Sequence, residues 1–294
     1  MILDAKDISV KFRHGALAIS GLTFSVDKGQ ILTVMGDNEC GKTSLLKAIA
    51  GLYPITDGEL FFYGKNVNEI APKDKKICLM HEDGGFFNYR SVRFNLEYPL
   101  RLRGEKLSDK SMRFISPDIL KKKIKQLTKE ERLSVMFERI NLRTDAEIIL
   151  IDDPFKVIHD ENREKLFLSF LPFMRSLTDR AAVIYATTER TEAEAIGAKT
   201  LLLHYGVEQQ YGDPRDFSTD PSSLCALYFS QADYTSGLTV IEEGDPPHFT
   251  IEEKVYPIDK EKLLNKIYIG KEVIYAKTDK NIFLFDKKCE ARIY

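Results

Sequence analysis

The run Gly36-Asp37-Asn38-Glu39-Cys40-Gly41-Lys42-Thr43-Ser44 constrains this chain more than any other stretch. It fits the pattern G-x-x-x-x-G-K-[ST] without a gap. Such a loop aims backbone N–H groups and a helix N-terminus at an anion, and its lysine adds a point charge. Both flanks agree. Gln30-Ile31-Leu32-Thr33-Val34-Met35 is apolar and β-branched, as a buried parallel strand should be. Ser44-Leu45-Leu46-Lys47-Ala48-Ile49-Ala50 reads as an amphipathic helix stopped by Gly51. A chance Gly/Lys turn has no reason to carry both. The expected ligand is therefore the phosphate chain of a nucleotide. Gly36, Asn38, Glu39 and Cys40 form the first half of the cradle, Gly41, Lys42, Thr43 and Ser44 the second. Thr43 is also the expected magnesium ligand.

At 294 residues the chain has room for one large domain or a large and a small one. A net charge of −2 gives no electrostatic footprint for nucleic acid, so none is expected as a partner. Cys40, Cys78, Cys225 and Cys289 are scattered, with no CxxC pair, which points to a reducing cytosol rather than disulfides or zinc. Met1-Ile2-Leu3-Asp4-Ala5-Lys6 lacks the apolar core of a secretion signal. No run is long and apolar enough to span a bilayer, so any membrane role is expected to come through a partner.

Residues 2–28 read as a hairpin, with strands Ile8–Phe12 and Leu22–Val26 and a turn at Arg13-His14-Gly15. Phe12 is left open between an adenine-stacking platform and a hairpin aromatic in a core. Glu59–Tyr63 gives a further strand, and Lys76–Met80 a buried one opening at His81. Phe86–Arg101 offers aromatics in a loop opened by glycine, which suits a protein-binding groove or packing on its own domain. Residues 104–126 carry a helical pattern, with Lys121-Lys122-Lys123 as its solvated face. Glu147-Ile148-Ile149-Leu150-Ile151-Asp152-Asp153 is a fully buried strand ending in paired acids. Chemistry in an α/β sheet sits at that edge, although acids before Pro154 can also cap a helix. Ala181–Ala186 is another buried strand, and 200–206 pairs with 207–214. From about 236 the texture changes to alternating strands at 249–251, 272–276 and 281–285, with a short helix at Asp259–Leu264.

In order and spacing, these stretches resemble the ATP-binding subunit of ABC transporters over residues 2–230, most closely the sugar- and polyamine-importer (maltose-type) branch. The resemblance implies an α/β P-loop fold with an antiparallel β subdomain and a shortened helical subdomain. A nucleotide-binding domain is expected at 1–235, and at 236–294 a cut-down, barrel-like domain for regulation or dimerisation. It implies ATP and Mg2+ as cofactors, with Phe12 as the adenine platform and Asp152 beside Thr43 on the metal. Phe86–Arg101 would receive the coupling helix of integral membrane subunits. A second ATP-binding subunit would complete the motor, on the cytoplasmic face of the cell membrane.

The departures from that family bear on activity. His81 stands where a glutamine contacts magnesium and water, and Thr188 where a histidine contacts the γ-phosphate. Asp153 replaces the catalytic glutamate, about 1 Å shorter in reach, a misplacement that can cost about a hundredfold. The L-S-G-G-Q signature reads Leu127-Thr128-Lys129-Glu130-Glu131, and two carboxylates are expected to face the triphosphate where amides belong. The S-A-L-D turn reads Lys156-Val157-Ile158-His159, and Glu39 replaces a glycine in the phosphate loop. The expectation is retained Mg-ATP binding with weak or absent hydrolysis, in a heterodimer with a competent partner chain. The alternatives are a working ATPase using Asp153 as base with His81 orienting water, and a soluble ATP sensor.

Overall fold

The structure, a computed structural model of the chain, describes residues 1–294 except 13–14, 109–111, 159, 231, 260 and 264–267, with backbone alone at 160–161. β1 (Leu3–Lys11) and β2 (Leu17–Val26) form the expected antiparallel hairpin; Arg13 and His14 of its turn lie outside the described residues. β3 (Ile31–Met35) runs into the glycine loop and α1 (Lys42–Ile49). β4 (Asp57–Phe62) and the two-residue β5 (Lys65–Asn66) return along β1, making a sheet ordered β2-β1-β4-β5.

A second sheet carries the chemistry-bearing loops. Its further strands are β6 (Ile77–Met80), β7 (Ile148–Asp152), β8 (Ala182–Thr187), β9 (Thr200–His204) and β10 (Val207–Gly212). Helices α2 (Val92–Leu102), α3 (Lys129–Asn141), α4 (Asp160–Ser176), α5 (Arg190–Ile196) and α6 (Leu224–Phe229) connect or follow them. The order is β10-β9-β3-β8-β7-β6, parallel except for the β9–β10 hairpin.

Alternation explains why β7 and β8 are apolar throughout. Ile148, Leu150, Ile184 and Ala186 face α1 and the antiparallel sheet, whereas Ile149, Ile151, Val183 and Tyr185 face α3 and α4. Both faces are buried, as a covered parallel sheet requires. The second face is filled by aromatics: Phe137 stacks on Phe170 at 4.2 Å, and Phe155 and Phe167 meet edge to face at 5.7 Å.

Residues 104–126 differ from expectation. Among the described residues they form only the 3-10 turns Pro117–Lys121 and Ile124–Gln126, which bury Ile119, Leu120 and Ile124 against α2 and α3. Lys121 and Lys123 are exposed as expected, though at 3-10 turns rather than on a helix, and the Lys122 ammonium meets Glu131 at 2.8 Å. The described residues of Asp259–Leu264 form a turn rather than a helix, and Lys260 and Leu264 lie outside them.

The C-terminal stretch folds as β11 (Thr235–Val240), β12 (His248–Ile251), β13 (Lys254–Pro257), β14 (Glu272–Lys277) and β15 (Ile282–Asp286). The pattern missed β11, masked by Thr, Ser and Gly, and β13, a short and largely exposed strand. β11, β14 and β15 make one sheet, β12 and β13 a hairpin. Ile241, Phe249, Val273 and Leu284 share a core, while Leu227 of α6 packs on Ala276, Phe283 and Phe285. Among the described residues, no helix is long and apolar enough to cross a membrane.

Candidate functional site

Register brings the predicted residues to one edge. Met35 pairs with Thr187, Ala186 with Asp152, and Ile151 with Met80. Gly36, Thr188, Asp153 and His81 therefore all leave the sheet at its C-terminal edge, where an open α/β sheet binds ligands.

The loop between β3 and α1 is built for close approach. Gly36 has φ +154, and a Cβ there would stand 2.2 Å from the Leu203 carbonyl oxygen and 2.6 Å from Cys40 Sγ. Gly41, at φ +109, would place a Cβ 2.6 Å from the Ala18 carbonyl oxygen. Glu39 sits at φ 65, the left-handed region that favours glycine, so the side chain changed while the backbone shape did not.

A cleft of about 430 Å3 opens above this loop. Its apolar end is Phe12 with Leu17, and Phe12 meets Tyr53 edge to face at 6.1 Å. Asn38, Glu39, Gly41, Lys42, Thr43 and Ser44 line it from the loop and helix start, and Asp152 and Asp153 from the end of β7. The other predicted residues are set back. Cys40 is buried, and its thiol accepts from Lys42 Nζ at 3.8 Å. Burial pushes that thiol up, against the pull of Lys42.

Lys42 is 7% exposed and donates to the carbonyls of Gly36 and Asp37, each at 2.7 Å. The Thr43 hydroxyl lies 3.0 Å from both Asp152 oxygens. Burial pushes the Asp152 carboxyl above the usual carboxylate range, with the Thr43 hydroxyl pulling the other way. A hydroxyl and a carboxylate are hard oxygen donors of the kind Mg2+ takes alongside phosphate oxygens. Loop, ammonium and donor pair fit a magnesium-bound triphosphate.

The catalytic candidates are placed differently. Asp153, at φ 36, is 4% exposed and accepts a hydrogen bond from Arg163 at 3.0 Å. Arg163 also donates to Glu192 at 2.8 Å, and Glu192 accepts from the hydroxyls of Tyr185 at 2.5 Å and Thr187 at 2.6 Å. Burial works against the Arg163 charge, but Glu192 and then Asp153 outweigh it and raise its pKa. Burial likewise pushes Asp153 up, and Arg163 offsets only part of that. Thr188 lies behind the cleft, 3.5 Å from Asp153. His81 turns its ring to Asp83 at 3.1 Å.

The expectation for the signature stretch is corrected. Thr128 and Glu131 form a capping box at the start of α3: Glu131 accepts from the Thr128 N–H at 3.0 Å and Thr128 from the Glu131 N–H at 3.2 Å. Its carboxylate is turned back toward Thr128 and Lys122, while Glu130 is exposed. In the next degenerate motif, His159 lies outside the described residues.

Five cleft residues escaped the sequence reading: Leu17, Ala18, Glu82, Lys156 and the exposed Tyr205 of the β9–β10 turn. Lys156 was visible only as a lost motif position; nothing local marked the cation it brings.

The family model for ABC transporters matches residues 19–156. The chain is 28% identical over 229 residues to the trehalose import ATP-binding protein SugC of Mycobacterium tuberculosis, covering 76% of this chain and 58% of that protein. It is 30% identical over 232 residues to the sn-glycerol-3-phosphate import ATP-binding protein UgpC of Rhodopseudomonas palustris, covering 76% and 63%. The chain thus spans about three fifths of these relatives. The fold is shared with the dimeric ATP-binding cassette MJ0796, in a post-hydrolysis state bound to ADP and Pi, at TM-score 0.62 and 19% identity, covering 72% of this chain and 98% of that one. By its loop and these likenesses, the chain carries an ATP-binding domain of the ABC transporter type, whose ligands are ATP and Mg2+.

Proposed function

We propose that this chain is the ATP-binding subunit of an ABC importer that holds Mg-ATP but turns it over slowly or not at all. It forms one half of a motor whose other half is a different ATP-binding chain. The observation that carries this reading is the buried ion pair between Asp153 and Arg163. A base must reach the attacking water, and this carboxylate is committed to a guanidinium instead.

The retained binding groups act in a simple division. Phe12 offers its ring to the base, the loop N–H groups and Lys42 take the phosphates, and Thr43 with Asp152 hold the metal. Magnesium, when bound, supplies positive charge to the phosphate oxygens. His81, bonded to Asp83, and Thr188, behind Asp153, are the weakened remnants of the hydrolytic set. Each lost catalytic group is worth about a hundredfold or more, though such losses are not additive. A signature segment supplied by a competent partner chain would close the site from the other side.

Docking to the membrane subunits is assigned to Phe86–Arg101. There Phe87, Phe94 and Tyr98 form an aromatic cluster with centroids 5.2 to 5.7 Å apart, flanked by Arg90 and Arg101. Buried Asn95 supports it, accepting from the Phe87 N–H at 2.9 Å and donating to the Ser91 carbonyl at 2.9 Å. A soluble sensor would have no use for this surface. Residues 236–294 are assigned as a regulatory or dimerisation domain, and the assembly is placed on the cytoplasmic face of the cell membrane. The relatives point to a small polar solute, such as a sugar or a sugar-like phosphate, as cargo.

The test is ATP binding and turnover by the purified assembly. Lys42→Ala should abolish binding, and Asp153→Asn should leave turnover unchanged. A tenfold or larger collapse in Asp153→Asn would instead make Asp153 the working base.

A further inference from the structure

The cleft holds an ammonium that the phosphate loop does not supply. Lys156 lies on the turn after β7, where the apolar side chains of Phe155 and Ile158 are pinned. Phe155 is fully buried in the aromatic core and Ile158 is 5% exposed. The Lys156 N–H donates to the Asp153 carbonyl at 3.2 Å and the Ile158 N–H to the Phe155 carbonyl at 2.9 Å. With its neighbours anchored, Lys156 lines the cleft beside Lys42, Asp152 and Asp153, while Val157 is 50% exposed.

Its present partner is replaceable. Lys156 Nζ meets Glu82 at 2.8 Å, with the two side chains 45% and 37% exposed. Exposed pairs of this kind hold weakly, and an ammonium with three donors exchanges one acceptor for another without rearranging its stem. Glu82 foremost, then Asp153 and Asp152, hold the Lys156 proton more tightly than usual, so the side chain is a permanent cation.

The groups around it decide which phosphate it meets. Phe12 and Leu17 take the base, and Lys42 with Thr43 takes the middle of the phosphate chain. Lys156 stands with the metal-side acids, where a triphosphate reaches and a diphosphate stops short. Resting on the nucleotide reading above, we propose that Lys156 is a specificity-determining residue: it leaves Glu82 for the terminal phosphate of a nucleoside triphosphate and makes the site prefer tri- over diphosphate. The group that a degenerate turn introduced then tightens the hold on uncut ATP.

The experiment is equilibrium titration of the full chain with a non-hydrolysable ATP analogue and with ADP, each with Mg2+ and with EDTA. Lys156→Met should weaken the ATP analogue about tenfold while ADP shifts by less than about twofold, and Lys156→Arg should keep most of the preference. Glu82→Gln, which removes the competing carboxylate, should tighten the ATP analogue severalfold. Equal effects of Lys156→Met on both nucleotides, in a protein with wild-type thermal midpoint, would make Lys156 a mere tether for Glu82 and overturn the proposal. A wild-type chain that binds both nucleotides, with an unchanged ratio in Lys156→Met, overturns this proposal alone. A wild-type chain that binds neither overturns the nucleotide reading and this proposal with it.

Discussion

Asp153 and Arg163, ten residues apart in sequence, meet at 3.0 Å in the interior beneath the cleft, and the same guanidinium bonds Glu192 at 2.8 Å. One cation serves two buried carboxylates. Removing it leaves both acids without a counter-charge, which typically costs about 3–5 kcal/mol. Arg163→Met should therefore lower the unfolding free energy measured in urea by that amount, and adding Asp153→Asn and Glu192→Gln should recover part of it. Independent, additive losses would show that the three do not form a unit.

Glu39 holds a left-handed conformation at φ 65 with its carboxylate beside the phosphate cradle. Glycine adopts that conformation without a Cβ penalty of about 1–2 kcal/mol, and it also removes a repulsive charge. Glu39→Gly should raise ATP affinity about fivefold or more at low salt. The gain should shrink as salt increases, which titration at several ionic strengths would reveal. A gain independent of salt would assign the effect to the backbone alone.

Asp152 titrates in the opposite sense to an ordinary salt-bridged acid. Its folded pKa lies above the ordinary 3.8, burial being the main cause. Its stabilising contribution is thus complete below that ordinary value and is lost as pH rises through the raised one. Without nucleotide, Asp152→Asn should melt above wild type at neutral pH, and the two should converge in weak acid. Mg-ATP should reverse the order at neutral pH, because the metal needs the ionised carboxylate. Thermal midpoints across pH, with and without ligand, test both statements.

Tyr98 is 40% exposed and packs between Phe87 and Phe94 at the rim of α2. If this cluster docks the membrane subunits, Tyr98→Ala should weaken assembly about thirtyfold, the effect of a typical aromatic anchor. Nucleotide affinity should not change, since Tyr98 lies outside the cleft. Detergent pull-down of the membrane subunits, with nucleotide titration as control, separates docking from misfolding.

Gly36, Gly41, Lys42 and Thr43 could be read directly because a phosphate loop is local: its shape, its charge and its flanking strand and helix occupy one continuous stretch. The buried strands were equally legible, since both faces of the sheet are covered and the apolar run is unbroken. Where charges from distant segments meet is set by the assembled sheet and not by any local pattern. Asp153 read as a shortened base, but the register of β7 with β8 and the packing of α4 on α5 hand it to Arg163. Glu131 read as a repulsive group, but the α3 cap turns it back toward Lys122. Lys156 and Glu82, 74 residues apart, had no shared pattern at all. Electrostatic partnership depends on distances between strand ends, and those distances do not exist until the sheet has formed.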